Sequence, residues 1–264
     1  MTDNEISLSI IMPSLNEEDN VHTAITNTLK AFSDLNINGE IIVINDGSTD
    51  RTPEIVSEVA AINNRVRLIT HKSPQGIGAS FWDGVDHAKG KAVCMIPGDN
   101  ENDPWETMRY VMLLEHVDVV IPFVFNRQVR SFFRNTLSYV YRSIINTTFL
   151  VNFNYTNGTV ICRKSVLSEL THRSNGFFFQ TDILIRTVKK GYLFAEVPYR
   201  LLARDSGISK AVSFPSLFQV IKGYIRLVKE IYMDKEFNNI NRQYSSDSQT
   251  QLRRNPKGAI TKKR

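Results

Sequence analysis

Side-chain oxygens crowd four short stretches of the chain, each directly after a run of apolar residues. Pro13-Ser14-Leu15-Asn16-Glu17 follows the first run and Asn45-Asp46-Gly47-Ser48-Thr49-Asp50 the second. His71-Lys72-Ser73-Pro74-Gln75-Gly76-Ile77-Gly78 follows the third, and Pro97-Gly98-Asp99-Asn100-Glu101-Asn102-Asp103 the fourth. Open parallel α/β sheets bind their ligands at the carboxyl ends of the strands, so residues of these types at four successive ends could form one site. The plainer reading is a set of turns and helix caps, and Asn16, Asp50 and Asp103 suit it. Capping does not account for Glu17, Asp46, Asp99 and Glu101 together. Farther along, Arg127, Arg130 and Arg134 lie among phenylalanines. Guanidinium groups bind phosphate through charge-assisted, often bidentate hydrogen bonds. That stretch suits an amphiphile with an anionic head and an apolar body, or else a solvated basic turn that feeds a helix.

Only a sheet can bring four such ends together. Apolar runs at 7–12, 40–45, 66–70, 92–96 and 117–122 read as strands. Between them apolar residues recur at helical spacing, as in Val21, Ile25, Leu29 and Phe32, or Ile55, Val56, Val59 and Ala60. Helix starts are marked by Asn16 ahead of Glu17-Glu18, by Thr52-Pro53-Glu54 and by Asp103-Pro104. Strands that are apolar almost throughout, alternating with helices, predict a mostly parallel α/β sheet covered on both faces.

The second half is less regular. Helical spacing over 132–150, strand-like runs at 159–162 and 193–197, and a short amphipathic helix at 181–190 ended by Gly191 come first. A stripe of about five helical turns runs from Phe214 to Tyr232. From Asn238 the chain is rich in Asn, Ser and Gln and then basic, so by itself it is expected to be disordered.

Composition narrows the classes. The chain has 264 residues, 42% of them hydrophobic, enough for a sizeable core. Its net charge of +5 comes from the end, since residues 241–264 hold seven Lys or Arg against one Asp. The body is therefore close to neutral and offers nucleic acid no footprint. Cys94 and Cys162 lie in apolar runs and read as buried thiols of a reducing compartment. The acidic start is unlike a secretory leader. The longest uncharged stretch, 143–162, is interrupted throughout by Asn and Thr, so no membrane-spanning segment is expected. Three Asn-x-Thr sequons, at Asn146, Asn154 and Asn157, would matter only in a secreted protein.

Taken together, Ile-Met-Pro-Ser-Leu-Asn-Glu-Glu, Val-Ile-Asn-Asp-Gly-Ser-Thr-Asp and Gly-Asp-Asn-Glu-Asn-Asp-Pro resemble the family 2 glycosyltransferases of the GT-A fold. A fourth motif, Glu-Val-Pro-Tyr with Arg204-Asp-Ser-Gly207-Ile-Ser209-Lys210 after it, is similar to the polyprenyl-phosphate branch typified by dolichol-phosphate mannosyltransferase. The resemblance covers residues 6–212. It implies a catalytic domain over 1–212, and the stripe and tail described above then read as an amphipathic extension over 213–237 and a disordered basic tail over 238–264.

The resemblance also assigns roles. Pro13, Asn16 and Glu17 would line the pocket for base and ribose, and Asp46 would accept a hydrogen bond from the base. Gly76 and Gly78 would admit the backbone to the nucleotide, with Gly98 and Asp99 beside them. Gly-x-Gly spacing alone is weak, and Phe81 stands where a dinucleotide fingerprint has its third glycine, against a Rossmann dehydrogenase. Pro97 occupies the first position of the family's Asp-x-Asp. Asp99 and Glu101 are then left as hard oxygen ligands for Mg²⁺ or Mn²⁺, shared with the diphosphate. Arg127, Arg130, Arg134, Arg204 and Lys210 would hold the acceptor phosphate.

The implied activity is inverting transfer of a sugar from a UDP- or GDP-linked donor to a polyprenyl phosphate, on the cytoplasmic face of a membrane. Such a phosphate is largely ionised near neutral pH and needs no dedicated base. Were the acceptor a saccharide hydroxyl, as in surface-polysaccharide or lipid-linked glycan assembly, Asp182 is the candidate base; otherwise it would hold an arginine such as Arg127 or Arg204. The Gln-x-x-Arg-Trp motif of processive synthases is absent from the sequence. A third reading, prompted by Pro97, is a nucleotide-sugar-binding subunit with little turnover. The 214–232 stripe, with Lys222, Arg226 and Lys229, could lie on an anionic membrane surface or pack on the catalytic domain. A membrane-protein partner or a homo-oligomer stays open.

Overall fold

The computed structural model describes residues 7–126, 132–156, 158–200, 214–233 and 244–254; of Phe133, Arg134 and residues 214–216 it describes the backbone. Seven strands appear in chain order: β1 (Leu8–Ser14), β2 (Gly39–Asn45), β3 (Val66–Thr70), β4 (Ala92–Met95), β5 (Val119–Val124), β6 (Ile161–Arg163) and β7 (Phe194–Tyr199). They form one sheet in the order β3-β2-β1-β4-β6-β5-β7, parallel except for β6. The helices are α1 (Val21–Asp34), α2 (Thr52–Ile62), α3 (Ile77–His87), α4 (Pro104–Met108), α5 (Phe132–Phe149), α6 (Lys164–Ser168), α7 (Phe179–Lys190), α8 (Phe214–Met233) and α9 (Gln249–Arg254). A 3₁₀ turn at Val111–Glu115 precedes β5.

The expected alternation of strand and helix holds through the first five strands, and its cause is visible in the core. Ile10, Met12, Ile41, Val43 and Cys94 point to one face, with Val21, Ile25 and Phe32 of α1 and Val56 of α2. Ile11, Ile42, Ile44, Val93 and Met95 point to the other, with Phe81 and Trp82 of α3 and Phe149, Leu184 and Leu227 of α5, α7 and α8. Successive side chains of a strand face opposite ways, so a strand buried on both faces must be apolar throughout. Both cysteines are buried and free, as expected, and burial raises both thiols above their ordinary values. Gly191 ends α7 in the left-handed conformation (φ 93°), again as expected.

Two features depart from expectation. The strand after α5 runs antiparallel between β4 and β5, which the apolar run at 159–162 did not indicate. The tail expected to be disordered is docked over 244–254. Asp118, fully buried ahead of β5, accepts hydrogen bonds from Gln249 N at 2.6 Å, Thr250 N at 3.0 Å and the Thr250 hydroxyl. Tyr244 packs edge-on against Tyr192 and donates to Lys190 O at 2.9 Å. Polar contacts to a buried carboxylate do here what apolar burial does elsewhere in the chain.

Candidate active site

Because β1, β2 and β4 are parallel, their carboxyl ends reach one edge of the sheet, and the loops that leave them are bound to each other. Asp46 N donates to Ser14 O at 2.9 Å, and Gly98 N donates to Pro13 O at 3.0 Å. A Cβ at Gly98 would lie 2.3 Å from Ser14 Oγ, so with the Ser14 hydroxyl where it stands the loop carrying Asp99 has no room for a side chain at residue 98. Asn16, at φ 55°, donates its backbone N–H to Ser48 Oγ at 3.0 Å and accepts from Thr49 N at 2.8 Å through Oδ1. Glu17 N donates to Thr52 Oγ1 at 2.8 Å.

Asn16 was expected to cap the first helix, and it does not. The chain makes a further turn over residues 17–20, with Asn20 N and Val21 N both donating to Glu17 O, before α1 begins. Asn16 instead ties the first loop to the second. Asp103 does cap α4, accepting from Trp105 N at 2.9 Å and Glu106 N at 3.4 Å. Asp50 serves both loops, through Thr52 N at 3.0 Å and Glu18 N at 3.1 Å.

Asp46 is 5% exposed and turns its carboxylate toward the loop between β3 and α3. Oδ1 meets His71 Nδ1 at 2.7 Å and accepts from Gln75 N at 2.8 Å, while Oδ2 accepts from Gly76 N at 2.9 Å. The other ring nitrogen of His71 lies 2.7 Å from Asp83 Oδ2. Burial opposes a charge on His71, but hydrogen bonds and Coulomb attraction from the two carboxylates prevail and raise its pKa. Gly76 (φ 100°) opens α3, and Gly78 N donates to Asn175 O at 3.0 Å. Sequence reasoning gave His71 and Asp83 no role. Their signal is tertiary, since β3 pairs beside β2 and α3 folds back over β1 and β2.

On the fourth loop Asp99 Oδ1 accepts from Glu101 N at 3.1 Å, a turn that holds the two carboxylate residues two positions apart. Among the described residues no group of three or more His, Cys, Asp or Glu side chains is placed to hold a metal. The donor set still fits a hard divalent cation, because Mg²⁺ is commonly held by one or two carboxylates and completed by substrate phosphate and water.

Arg127, Arg130, Arg204 and Lys210 lie outside the described residues, and Arg134 falls in the first turn of α5. The flanks of the two undescribed stretches are adjacent. Phe125 N donates to Tyr199 O at 3.2 Å, Tyr199 OH donates to Asn102 Oδ1 at 2.8 Å, and Arg200 N donates to Glu106 Oε2 at 3.3 Å. Asp182 is elsewhere in character. It is 2% exposed, and Oδ2 accepts from Arg186 Nε at 2.9 Å, while Arg186 also pairs with Glu230 of α8. Burial raises its carboxyl above the usual range against the pull of Arg186. The arginine it meets is Arg186 of its own helix rather than the expected Arg127 or Arg204, which lie outside the described residues, and its carboxylate is engaged inside the α7–α8 contact.

Residues 9–171 match the family model described as glycosyl transferase family 2. The chain belongs to this family. Among its relatives is CsbB, a Bacillus subtilis (strain 168) protein named as a glycosyltransferase, 30% identical over 80% of this chain and 63% of that one. Another is undecaprenyl-phosphate 4-deoxy-4-formamido-L-arabinose transferase of Edwardsiella ictaluri (strain 93-146), 26% identical over 77% of this chain and 62% of that one. The chain spans less than two thirds of the length of either curated relative. Glucosyl-3-phosphoglycerate synthase from Mycobacterium tuberculosis, solved with Mn²⁺, UDP and phosphoglyceric acid, shares the fold at a TM-score of 0.63 and 20% identity. That likeness covers 84% of this chain and 78% of the synthase. The family 2 member described here thus has the mostly parallel, helix-flanked sheet of GT-A glycosyltransferases.

Proposed function

We propose that this family 2 protein transfers a sugar from a nucleoside-diphosphate donor to a polyprenyl phosphate, with inversion at the anomeric carbon. The observation that carries the reading is the binding together of the β1, β2 and β4 ends, which gathers Glu17, Asp46, Gly76, Gly98 and Asp99 on one edge. Pro13, Asn16 and Glu17 would border the base and ribose. Among the described residues Asp46 Oδ2 accepts one hydrogen bond, from Gly76 N, and a carboxylate oxygen can accept a second, which a base N–H would supply. Gly76 and Gly78 would let the backbone approach the nucleotide.

Asp99 and Glu101 would hold Mg²⁺ or Mn²⁺ jointly with the diphosphate. When bound, that cation supplies charge neutralisation for the departing nucleoside diphosphate. The lipid phosphate, with a second pKa of about 6, is already an anion near neutral pH and can attack without a base. Commitment of Asp182 to Arg186 supports a phosphate rather than a hydroxyl acceptor. Arg127, Arg130, Arg134, Arg204 and Lys210 are proposed to receive the phosphate, and the hydrogen bond from Phe125 N to Tyr199 O supports that, since it joins the described residues that precede Arg127 and Arg204. The undecaprenyl-phosphate transferase among the relatives supports the same acceptor class.

A peripheral membrane location is supported by α8. No described helix is long and apolar enough to cross a membrane. The α8 inner face packs through Leu227 and Ile231, while Leu217, Phe218, Ile221 and Ile225 are exposed beside Lys222, Arg226 and Lys229. The test is a panel of UDP- and GDP-sugars with undecaprenyl phosphate or a saccharide acceptor, with and without Mg²⁺ or Mn²⁺, on the purified chain. Metal-dependent formation of a lipid-phosphate-linked sugar is expected. Transfer to the saccharide alone, or to neither, would overturn the reading.

A further inference from the structure

The three-member chain Asp46–His71–Asp83 has a property that the donor reading does not use. Each ring nitrogen of His71 faces a carboxylate oxygen at 2.7 Å, and the backbone N–H of His71 donates to Asn45 O at 2.9 Å. A neutral imidazole has one N–H, so it would set a bare nitrogen lone pair against one of the two carboxylates. The imidazolium alone satisfies both. Asp46 and His71 are 5% and 6% exposed, so the pair has little water to substitute for a lost partner. Asp46 in turn receives the amides of Gln75 and Gly76, the two residues that lead into α3.

We propose that His71, as an imidazolium bridging Asp46 and Asp83, is a positioning residue that fixes the Asp46 carboxylate and the Gln75–Gly76 turn, so that the order of this loop is linked to proton binding. The inference rests on the donor reading only for its consequence, that nucleotide affinity follows the same titration. Two charged groups act on the ring, Asp46 from the end of β2 and Asp83 from α3, while Lys72, next in the chain, is exposed. The folded-state pKa of His71 is raised above its unfolded value, so the ordered turn is fully present below the unfolded value and is lost as pH climbs through the folded one.

Two measurements on the full chain test this. The first is NMR of ¹⁵N-histidine-labelled protein, with His71→Gln to assign the ring. Both ring nitrogens should be protonated at pH 7, and the Gln75 and Gly76 amides should shift with the midpoint of the ring. Asp83→Asn removes one carboxylate from a partly exposed position and should move both midpoints to lower pH together. The second is calorimetric binding of UDP and of GDP across the same pH range. Affinity should fall about tenfold as the ring deprotonates, the scale of one charge-assisted hydrogen bond. His71→Gln, which has no titration there, should flatten the profile. A neutral ring at pH 7, amides that do not follow the ring, or an Asp83→Asn profile identical to the parent would overturn the proposal. Linked NMR titrations in a chain that binds neither nucleotide would support it and refute the donor reading instead.

Discussion

Gly98 lies directly against Ser14: a Cβ at residue 98 would come within 2.3 Å of Ser14 Oγ, while Gly98 N donates to Pro13 O at 3.0 Å. The loop that bears Asp99 and Glu101 is thus seated on β1 by the absence of a side chain. Gly98→Ala should push this loop off the strand and cost about 1–3 kcal/mol, as overpacking of a close contact does. A lower Tm together with a raised metal requirement for transfer is expected; parent values for both would show that the loop is not held by this contact.

Asp99→Asn keeps the size of the side chain and removes its charge. If Asp99 and Glu101 share the cation with the donor diphosphate, turnover should drop on the order of 100-fold, a loss of about 2.7 kcal/mol in transition-state stabilisation. The melting curve should stay close to the parent's. Steady-state kinetics at saturating Mn²⁺ provide the check, and undiminished turnover would dismiss Asp99 as a ligand.

Arg186→Met should leave Asp182 and Glu230 facing each other without their cation. Breaking a buried pair in this way typically costs about 3–5 kcal/mol, so urea unfolding should register a large loss. Asp182→Asn should reduce stability as well, and leave turnover per folded molecule within about twofold, because Asp182 is tied to Arg186 Nε at 2.9 Å. An Asp182→Asn protein of parental stability and no turnover would restore it as a base.

Glu40 gives the acid limb of stability. Burial opposes its ionisation, yet hydrogen bonds from Ser9 Oγ at 2.6 Å, Lys89 N at 2.6 Å and Arg67 Nη2 at 2.7 Å prevail and hold its carboxyl below the ordinary glutamate range. A lowered folded-state pKa contributes stability above the unfolded value and forfeits it as pH falls through the folded value. Denaturant unfolding should therefore weaken below about pH 4.5 in the parent, and Glu40→Gln should be less stable at pH 7 with a flatter acid limb. Equal slopes in the two proteins would remove Glu40 from the account.

The outer face of α8 sets the membrane prediction. Phe218 is 70% exposed and Leu217 54%, with Lys222, Arg226 and Lys229 also exposed. Co-sedimentation with vesicles containing anionic lipid should decrease when Phe218 and Leu217 become serine. It should decrease further at high salt, since each basic residue contributes about 1 kcal/mol near an anionic surface. Binding that ignores both changes would place the contact elsewhere.

The first half of the fold was open to reading because its signal is local. Continuous apolar strands such as Ile41–Ile44 and the polar ends after them are adjacent in the chain, so one pattern indicates both the sheet and the edge that carries the candidate site. What escaped was settled between distant segments. Nothing near Cys162 announces that β6 is reversed, because an apolar run reads the same in either direction. Asp182 and Arg186 are a visible i,i+4 pair, but their enclosure depends on Glu230 from another helix. His71 and Asp83 are twelve residues apart and meet only when α3 returns over β2. The 244–254 segment has little apolar periodicity to detect, since Asp118 secures it through amide and hydroxyl hydrogens.

The reversal of β6 has a consequence for how substrate preference could change. β6 meets β4 at Ile161, Cys162 and Arg163 and meets β5 at Ile161 and Cys162 alone, and it enters from the edge where Asp99 lies. Thr159, just before it, faces Thr107 behind the Asp99 loop, and Gly158 lies against Pro122 O of β5. A slim wedge of chain thus parts the strands whose loops are proposed to hold the nucleotide from those that lead toward the arginines proposed to hold the acceptor. Insertions or exchanges in residues 154–160 could widen or narrow this seam while every flanking parallel pairing keeps its register, a low-cost way to refit one reactant without disturbing the other.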